Sequence, residues 1–525
     1  MSVLLQPQGA TDQFATAADR SAVRSVLPGG LLALDAACTM GFFLPRAFSP
    51  WHWFYDENGA LYGLMGCNYF RTGLAATRGG AQHWTTFDGP VARPEFYSTH
   101  PPLLPWLCGA AQWLLGVRPF AVRLVPTLGQ ILSLIPLFLL GRRLFGAVAA
   151  AWGTLIYALL PMTAYFGFAV CYESLNNMFI LSSVYCYVRI NDEGNSPGKA
   201  CMFGASLFAG MWTDWPAYFV AMGIGLDWFL TRRGWQRMNA AVPWATGLVS
   251  FALFVAFIFQ LGGTGSGGLG SLINAFRNRT GISPDENYSI LQFGSFLASE
   301  NAQLYGVGVI FLIGGLCAMR GPRVFRPMLV LLATAALHVL LFSYGAMTHE
   351  YWTFYFVGPV ALGAMACFAR WSNRTRIVPL YVVAGFVLAV QSAWVIADYD
   401  SPYYCEWSQA HIRMGQKIAQ HARADEVVMM TFGWGDGAIV AYYAQRPMVR
   451  VNSTEELQRI RSHPDFHGGF VVLSENFTQS AGDGEEFLQS LECIDEQVSF
   501  GDRIRILHVL PASQPADQTE QAPSS

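Results

Sequence analysis

About eleven apolar stretches recur between residues 28 and 397, most close to the roughly 20 residues that a helix needs to cross a bilayer. They lie near 28–45, 119–140, 147–168, 172–190, 200–213, 215–231, 240–261, 302–319, 327–345, 351–369 and 377–397. This repetition predicts a polytopic α-helical membrane protein. The chain is 53% hydrophobic and only 13% charged, which excludes an ordinary soluble domain. A net charge of -3 without a dense basic patch excludes a nucleic-acid partner. Residues 1–27 read as a cytoplasmic tail, 28–400 as the transmembrane domain with an outer loop at 46–118, 401–511 as an extracytoplasmic domain, and 512–525 as a disordered tail.

Charge bias sets the expected orientation, because arginine-rich short loops stay in the cytoplasm. If the apolar segment Pro101 to Gly116 does not cross, then Arg142 and Arg143, Arg189 to Lys199, Arg232, Arg233 and Arg237, Arg320, Arg323 and Arg326, and Arg370, Arg374 and Arg376 all fall inside. The outer loops near 169–172, 213–216 and 346–350 then hold no Lys or Arg. Pro101 to Gly116 is therefore expected to be a juxtamembrane or re-entrant helix. On this topology Asp56, Glu57, His100, Glu173, Asp214, His349 and Glu350 share the outer surface. Ionisable groups at membrane depth cost about 2.5–3.5 kcal/mol each, so their gathering invites a functional reading. Loop ends that simply tolerate polar residues are the plainer alternative. Asp35, Asp227 and His338 fall inside spans and are expected to pair within the bundle.

From Ser401 the pattern changes to alternating helices and strands. Helices are expected at 407–423, 438–445, 455–461 and 485–491, and strands at 427–431, 448–451, 469–474 and 503–509, giving a small three-layer α/β domain. Cys405 and Cys493 can form a disulfide there if the compartment is oxidising, or remain two free thiols. Gly433, Gly435 and Ala438 fit a dinucleotide fingerprint, but the domain is short and lies outside the cytoplasm. Gly263, Gly265 and Gly268 fit a similar pattern after a span rather than a strand, so they read as a loop. His349 and Glu350 begin HEYW, which lacks the second histidine of a zinc-protease helix.

Asp56 and Glu57 open DENGALYGLMGCNYF, where Leu61, Leu64, Met65 and Tyr69 recur at helical spacing. The expectation is an amphipathic helix lying on the membrane, with Asp56 at its N-terminal end as an accessible acceptor or merely a cap.

A long outer loop after the first span that opens with Asp56-Glu57 and closes with YSTHPPL at Tyr97 to Leu103 resembles the GT-C class of membrane glycosyltransferases. Within that class the chain is similar to the protein O-mannosyltransferase and aminoarabinose-transferase superfamily, or glycosyltransferase family 39. Arg123 in AVRLVP and Glu173 at the start of the fourth span complete the resemblance. It implies an integral enzyme, in a bacterial inner membrane, that takes a sugar from a polyprenyl-phosphate carrier. The acceptor would be a hydroxyl of a lipid, glycan or protein on the non-cytoplasmic face. It also implies Asp56 as base, with Glu57, His100, Glu173, Asp214, His349 and Glu350 as substrate contacts. Arg123, Arg277 and Arg279 are the candidate phosphate partners. Relatives carry an acidic and basic pair before Pro-Pro, where this chain has Thr99 and His100, so no metal or other cofactor is carried over. A transporter with an ion path, or a catalytically silent scaffold, are the rival readings.

Overall fold

A computed structural model describes residues 23–232, 241–265, 267–282, 288–372, 376–431, 434–474, 477, 484–499 and 502–512. Residues 1–22, Arg233, Arg237, Arg374, Gly433 and 513–525, all used in the sequence reading, lie outside them. The chain divides into two compact units.

The first unit comprises residues 1–47, 124–255 and 273–398. Every stretch expected to span is helical. Among the described residues, six helices are long and apolar enough to cross a bilayer: Pro28–Ala47, Pro119–Phe145, Ala241–Gly262, Pro322–Leu341, Glu350–Trp371 and Ile377–Tyr399. Ile290–Tyr305 and Gly308–Ala318 make a seventh if the pair, bent by 96°, counts as one span. The remaining expected spans fall short for a physical reason. Ala147–Leu159, Pro197–Met211 and Pro216–Thr231 have 13, 15 and 16 residues, and Tyr172–Glu193 is long enough but polar.

Small residues let these helices approach closely. A Cβ on Gly315 would stand 2.2 Å from the Gly363 Cα, and one on Gly129 would stand 2.7 Å from the Leu175 Cα. Asp192 and Glu193, at the end of Tyr172–Glu193, bind Arg143 and Arg189, Lys199 at 3.0 Å and Arg323 at 3.0 Å. Three arginine-bearing loops thus meet at one end of the unit. Glu173 sits at the other end of the same helix, about 30 Å away at 1.5 Å per residue, which is the thickness of a hydrocarbon core. Of the ionisable groups inside spans, Asp227 does pair, with the Tyr187 hydroxyl at 2.6 Å and Arg326 at 3.4 Å. Asp35 corrects the expectation: its polar neighbour is Thr154, and no cation pairs with it among the described residues. His338 also departs from it, packing among the rings of Phe342, Trp352 and Tyr355.

The second unit comprises residues 48–123, 256–272 and 399–525, so the long loop and the C-terminal segment belong to one body. A hairpin, β1 (Gln82–Thr86) and β2 (Arg93–Phe96), lies in the loop. The C-terminal sheet has β3 (Val427–Met430), β4 (Met448–Arg450), β5 (Gly469–Leu473), β6 (Glu492–Ser499) and β7 (Asp502–Val509), in the order β4-β3-β5-β7-β6. β4, β3 and β5 are parallel, and β7 runs antiparallel to β5 and β6. The apolar run of β3 is buried on both faces. Val428 and Met430 join Met414, Val440 and Phe470 on one side, while Val427 and Met429 join Leu457, Ile460 and Val471 on the other. Leu64, Trp84 and Phe87 from the loop enter these same two cores.

Two expectations are corrected here. The helix beginning at Asp56 spans Asp56–Arg71 and is buried on every side from Gly59 to Tyr69, so it does not lie on a membrane surface. Its glycines explain this. A Cβ would come within 2.4 Å of the Trp51 ring at Gly59, 2.7 Å of Tyr442 at Gly63, and 2.5 Å of Gln112 at Gly66. The face opposite Leu61 and Leu64 is a strip of small residues against which protein packs. Strand β6 was not foreseen. Cys405 and Cys493 are free thiols. Leu103–Leu115 is a helix of 13 residues, about 20 Å long, too short to cross a bilayer.

Gly315→Ala is expected to destabilise the protein by about 1–3 kcal/mol through overpacking. Gly294→Ala, whose Cβ would meet nothing within 4 Å, serves as the control. Thermal unfolding of the two purified variants in detergent checks both, with a lowered midpoint only for the first.

Candidate functional site

The second unit's site is built on Asp56. Three successive backbone amides precede it in a tight turn. Trp51 N–H donates to the Tyr443 hydroxyl at 3.0 Å, while His52 and Trp53 N–H donate to Asp56 Oδ2 at 3.0 and 2.9 Å. Tyr55, just before the carboxylate, adopts a left-handed conformation with φ 66°, a backbone cost of about 1–2 kcal/mol that the surrounding contacts must hold. Arg123 Nη2 completes the set on Oδ2 at 2.7 Å. The same guanidinium donates to the carbonyls of Ser49 and Pro50 and lies 4.4 Å over the Trp51 ring.

Asp56 is therefore oriented through one oxygen only. Among the described residues Oδ1 accepts no hydrogen bond, and the side chain retains 11% exposure against 4% for Arg123. A carboxylate fixed on one side and open on the other can take a proton or a hydrogen bond from a bound hydroxyl. It is not a helix cap, since its donors precede the helix. His52 was missed by the sequence reading. Burial holds its imidazole below the usual value, with Asp56 acting against that shift and Arg123 with it. The crowding of WHWFY ahead of Asp56 was the available signal.

His100 is placed in an aromatic group. Its Nδ1 is 2.8 Å from the Tyr97 hydroxyl and 3.3 Å from Thr99 Oγ1, and its ring stacks on Tyr97. His83 meets Tyr97 edge-on, and burial pushes its imidazole down to about 3. Glu57 is half-buried in the first turn of the Asp56–Arg71 helix.

In the first unit a second polar group forms around Asp214. Its Oδ1 accepts from Trp215 N–H at 2.7 Å, and its Oδ2 from the Tyr355 hydroxyl at 2.7 Å, which in turn accepts from Asn176 at 3.2 Å. Glu173 and Arg279 interact electrostatically with Asp214, and Arg279 stands 5.5 Å over the Trp352 ring. Glu173 Oε2 is buried and has no hydrogen-bond partner among the described residues. Burial pushes Asp214 up to about 6. His349, beside Tyr351 and Trp352, is pushed down to about 4 by burial, with Arg279 adding to the shift. The structure thus brings Glu173, Asp214 and Arg279 together. It leaves Arg277 exposed on the Leu269–Arg279 helix.

With this geometry in hand, comparison with solved structures decides the fold. ArnT from Cupriavidus metallidurans, bound to undecaprenyl phosphate, is similar with a TM-score of 0.61 at 14% identity, covering 92% of this chain and 98% of that one. This chain has a GT-C fold. The oligosaccharyltransferase of Archaeoglobus fulgidus, in complex with Zn and sulfate, shares the GT-C architecture with a TM-score of 0.52 at 12% identity, covering 84% of this chain and 67% of that one. AglB from the same organism, with an inhibitory peptide and a dolichol-phosphate, gives 0.52 at 11% identity over 86% and 70%. The dolichyl-phosphate-mannose-protein mannosyltransferase family matches residues 99–259. No curated protein matches the chain. The GT-C fold and the apolar helices make this an integral membrane protein.

Arg123→Ala leaves a largely buried carboxylate without its cation and is expected to cost about 3–5 kcal/mol, read as a fall in the unfolding midpoint. The pH dependence of stability has a defined sign at Asp214. Its carboxyl holds a proton more tightly in the folded chain, near 6, than its ordinary value of 3.8. Its contribution is complete below about 3.8 and is lost as pH rises through about 6, worth up to about 3 kcal/mol. Asp214→Asn is expected to flatten that part of the stability profile between pH 4 and 7.

Proposed function

We propose that the protein is a membrane glycosyltransferase that moves a sugar from a polyprenyl-phosphate carrier to a hydroxyl of a lipid, glycan or protein on the non-cytoplasmic face. The observation that carries this reading is the Asp56 carboxylate, with Oδ2 held by two amides and Arg123 and Oδ1 open. In the proposed step Asp56 takes the proton of the acceptor hydroxyl as its oxygen attacks the anomeric carbon. The bond from that carbon to the phosphate oxygen breaks, the electron pair leaves with the polyprenyl phosphate, and the configuration inverts. General-base help of this kind contributes about 10²–10⁴-fold.

The leaving phosphate gains negative charge and calls for guanidinium partners. Arg279 and Arg277 take that role in this proposal. Arg123 is proposed here to hold Asp56, since it donates to that carboxylate and to the Ser49 and Pro50 carbonyls. Glu57, His100, Glu173, Asp214, His349 and Glu350 remain proposed contacts to sugar or acceptor, and no metal or cofactor enters the proposal. The lipid phosphates bound by ArnT and AglB support a carrier of this class. The arginine network at one end of the first unit and Glu173 at the other support an outward-facing site.

The test uses membranes from cells lacking the chain, restored with the wild-type protein or Asp56→Asn and supplied with radiolabelled sugar carriers. The expected result is transfer to membrane acceptors with the wild type and at least a hundredfold loss with Asp56→Asn, the variant still being inserted and folded. Undiminished transfer by Asp56→Asn would refute the assignment.

A further inference from the structure

Trp434–Ala444, a helix of the C-terminal α/β segment, reaches the turn that carries Asp56. The Tyr443 hydroxyl accepts the Trp51 N–H at 3.0 Å across 392 positions of sequence. That amide is the first of three in a row, and the next two are the ones that hold Asp56 Oδ2. Because each peptide unit is planar, only the φ and ψ of Trp51 and His52 separate the three amides, so fixing the first narrows the directions open to the two that follow. The neighbouring Tyr442 supports the same turn from a different side. Its ring meets the Trp51 ring edge-on at 5.7 Å and fills the space over Gly63. Trp51 is fully buried between Tyr442, Gly59 and the Arg123 guanidinium. Burial pushes the Tyr443 phenol up to about 12, so it stays a neutral hydroxyl at any working pH.

The rest of the loop is fastened to the same segment. Asp88 pairs with Arg459 at 2.6 Å, Ala92 N–H donates to Asp465 at 2.7 Å, and His463 Nε2 lies 2.7 Å from the Gly89 carbonyl oxygen. These ties hold the β1–β2 hairpin, whereas Tyr443 contacts the amide run that ends on the carboxylate.

We propose that Tyr443 is a positioning residue for Asp56, and that the C-terminal α/β segment serves the reaction by fixing the base rather than by receiving the acceptor. The inference rests on the reading of Asp56 as base. Tyr443 touches neither sugar nor phosphate in this account. It acts through the Trp51, His52 and Trp53 amides, and displacements below an ångström at a base are costly because the acceptor proton must lie within hydrogen-bond reach.

The test compares the full-length protein with Tyr443→Phe, which removes one oxygen, and with Gly59→Ala, which displaces the Trp51 ring from its other side without touching Tyr443. Each is measured for kcat, for KM toward the radiolabelled carrier-linked sugar, and for unfolding midpoint, alone and on an Asp56→Asn background. The expected result is a roughly tenfold lower kcat for both variants with KM within twofold, and no further loss on the Asp56→Asn background. If Tyr443→Phe does not fold, Gly59→Ala decides by the same criteria. Asp56→Asn inactive with Tyr443→Phe at full kcat overturns the positioning role and leaves the base intact. Asp56→Asn at full activity overturns both. A Tyr443→Phe loss that appears in KM, or that adds to the Asp56→Asn loss, also overturns the positioning role.

Discussion

The buried ion pair between Arg123 and Asp56 is the interaction on which the rest of the site depends. A carboxylate with so little exposure is expensive to ionise without a partner, and a bare guanidinium at that depth is equally so. Together they neutralise each other, and the geometry is one-sided. Arg123 and two amides converge on Oδ2, which leaves Oδ1 as the chemically available atom. The Trp51 ring beneath the guanidinium, the carbonyls of Ser49 and Pro50, and the left-handed Tyr55 are consequences of closing a turn tightly enough to make that arrangement. Strain at Tyr55 is tolerated because so many contacts determine the turn.

The group in the first unit follows different electrostatics. Asp214 and Glu173 are two acids with one nearby guanidinium, so the favourable state keeps a proton on the pair instead of ionising both. The Tyr355 hydroxyl donates to Asp214, and Asn176 donates to Tyr355, so the polar chain has a fixed direction. Asp56 is a carboxylate held through one oxygen by Arg123 and two amides, whereas the Asp214 group is a protonatable cluster beside an arginine on an aromatic face.

Much of the fold was legible in the sequence. The strands at 427–431 and 469–474 fall on continuous β-branched and apolar runs that demand burial on both faces, those at 448–451 and 503–509 on apolar residues interrupted by polar ones, and each is found within a residue or two. β6 was not legible because ECIDEQVS is a polar edge strand with one neighbour, and its pairing with β7 lies in the backbone rather than in any apolar alternation. The Asp56–Arg71 helix was found but misplaced. Its leucines gave the period, while Gly59, Gly63 and Gly66 on the other face read as absence of signal when they are the reason Trp51, Tyr442 and Gln112 can approach. Asp56 was singled out by the resemblance to the GT-C class, as an expected base. Its pairing with Arg123 was not legible, because the two residues lie 67 positions apart. Tyr443 was beyond reach for the same reason, since no local pattern marks a hydroxyl that accepts a single amide from a distant loop.

The proposed base requires Arg123 to hold Asp56 rather than to bind the carrier. A cryo-electron microscopy structure of the wild-type protein with undecaprenyl phosphate tests this most directly. The expected result is Arg123 still on Asp56 Oδ2 and the Ser49 and Pro50 carbonyls, with the phosphate on Arg279 or Arg277. Arg123 released from Asp56 and bonded to the phosphate would contradict it.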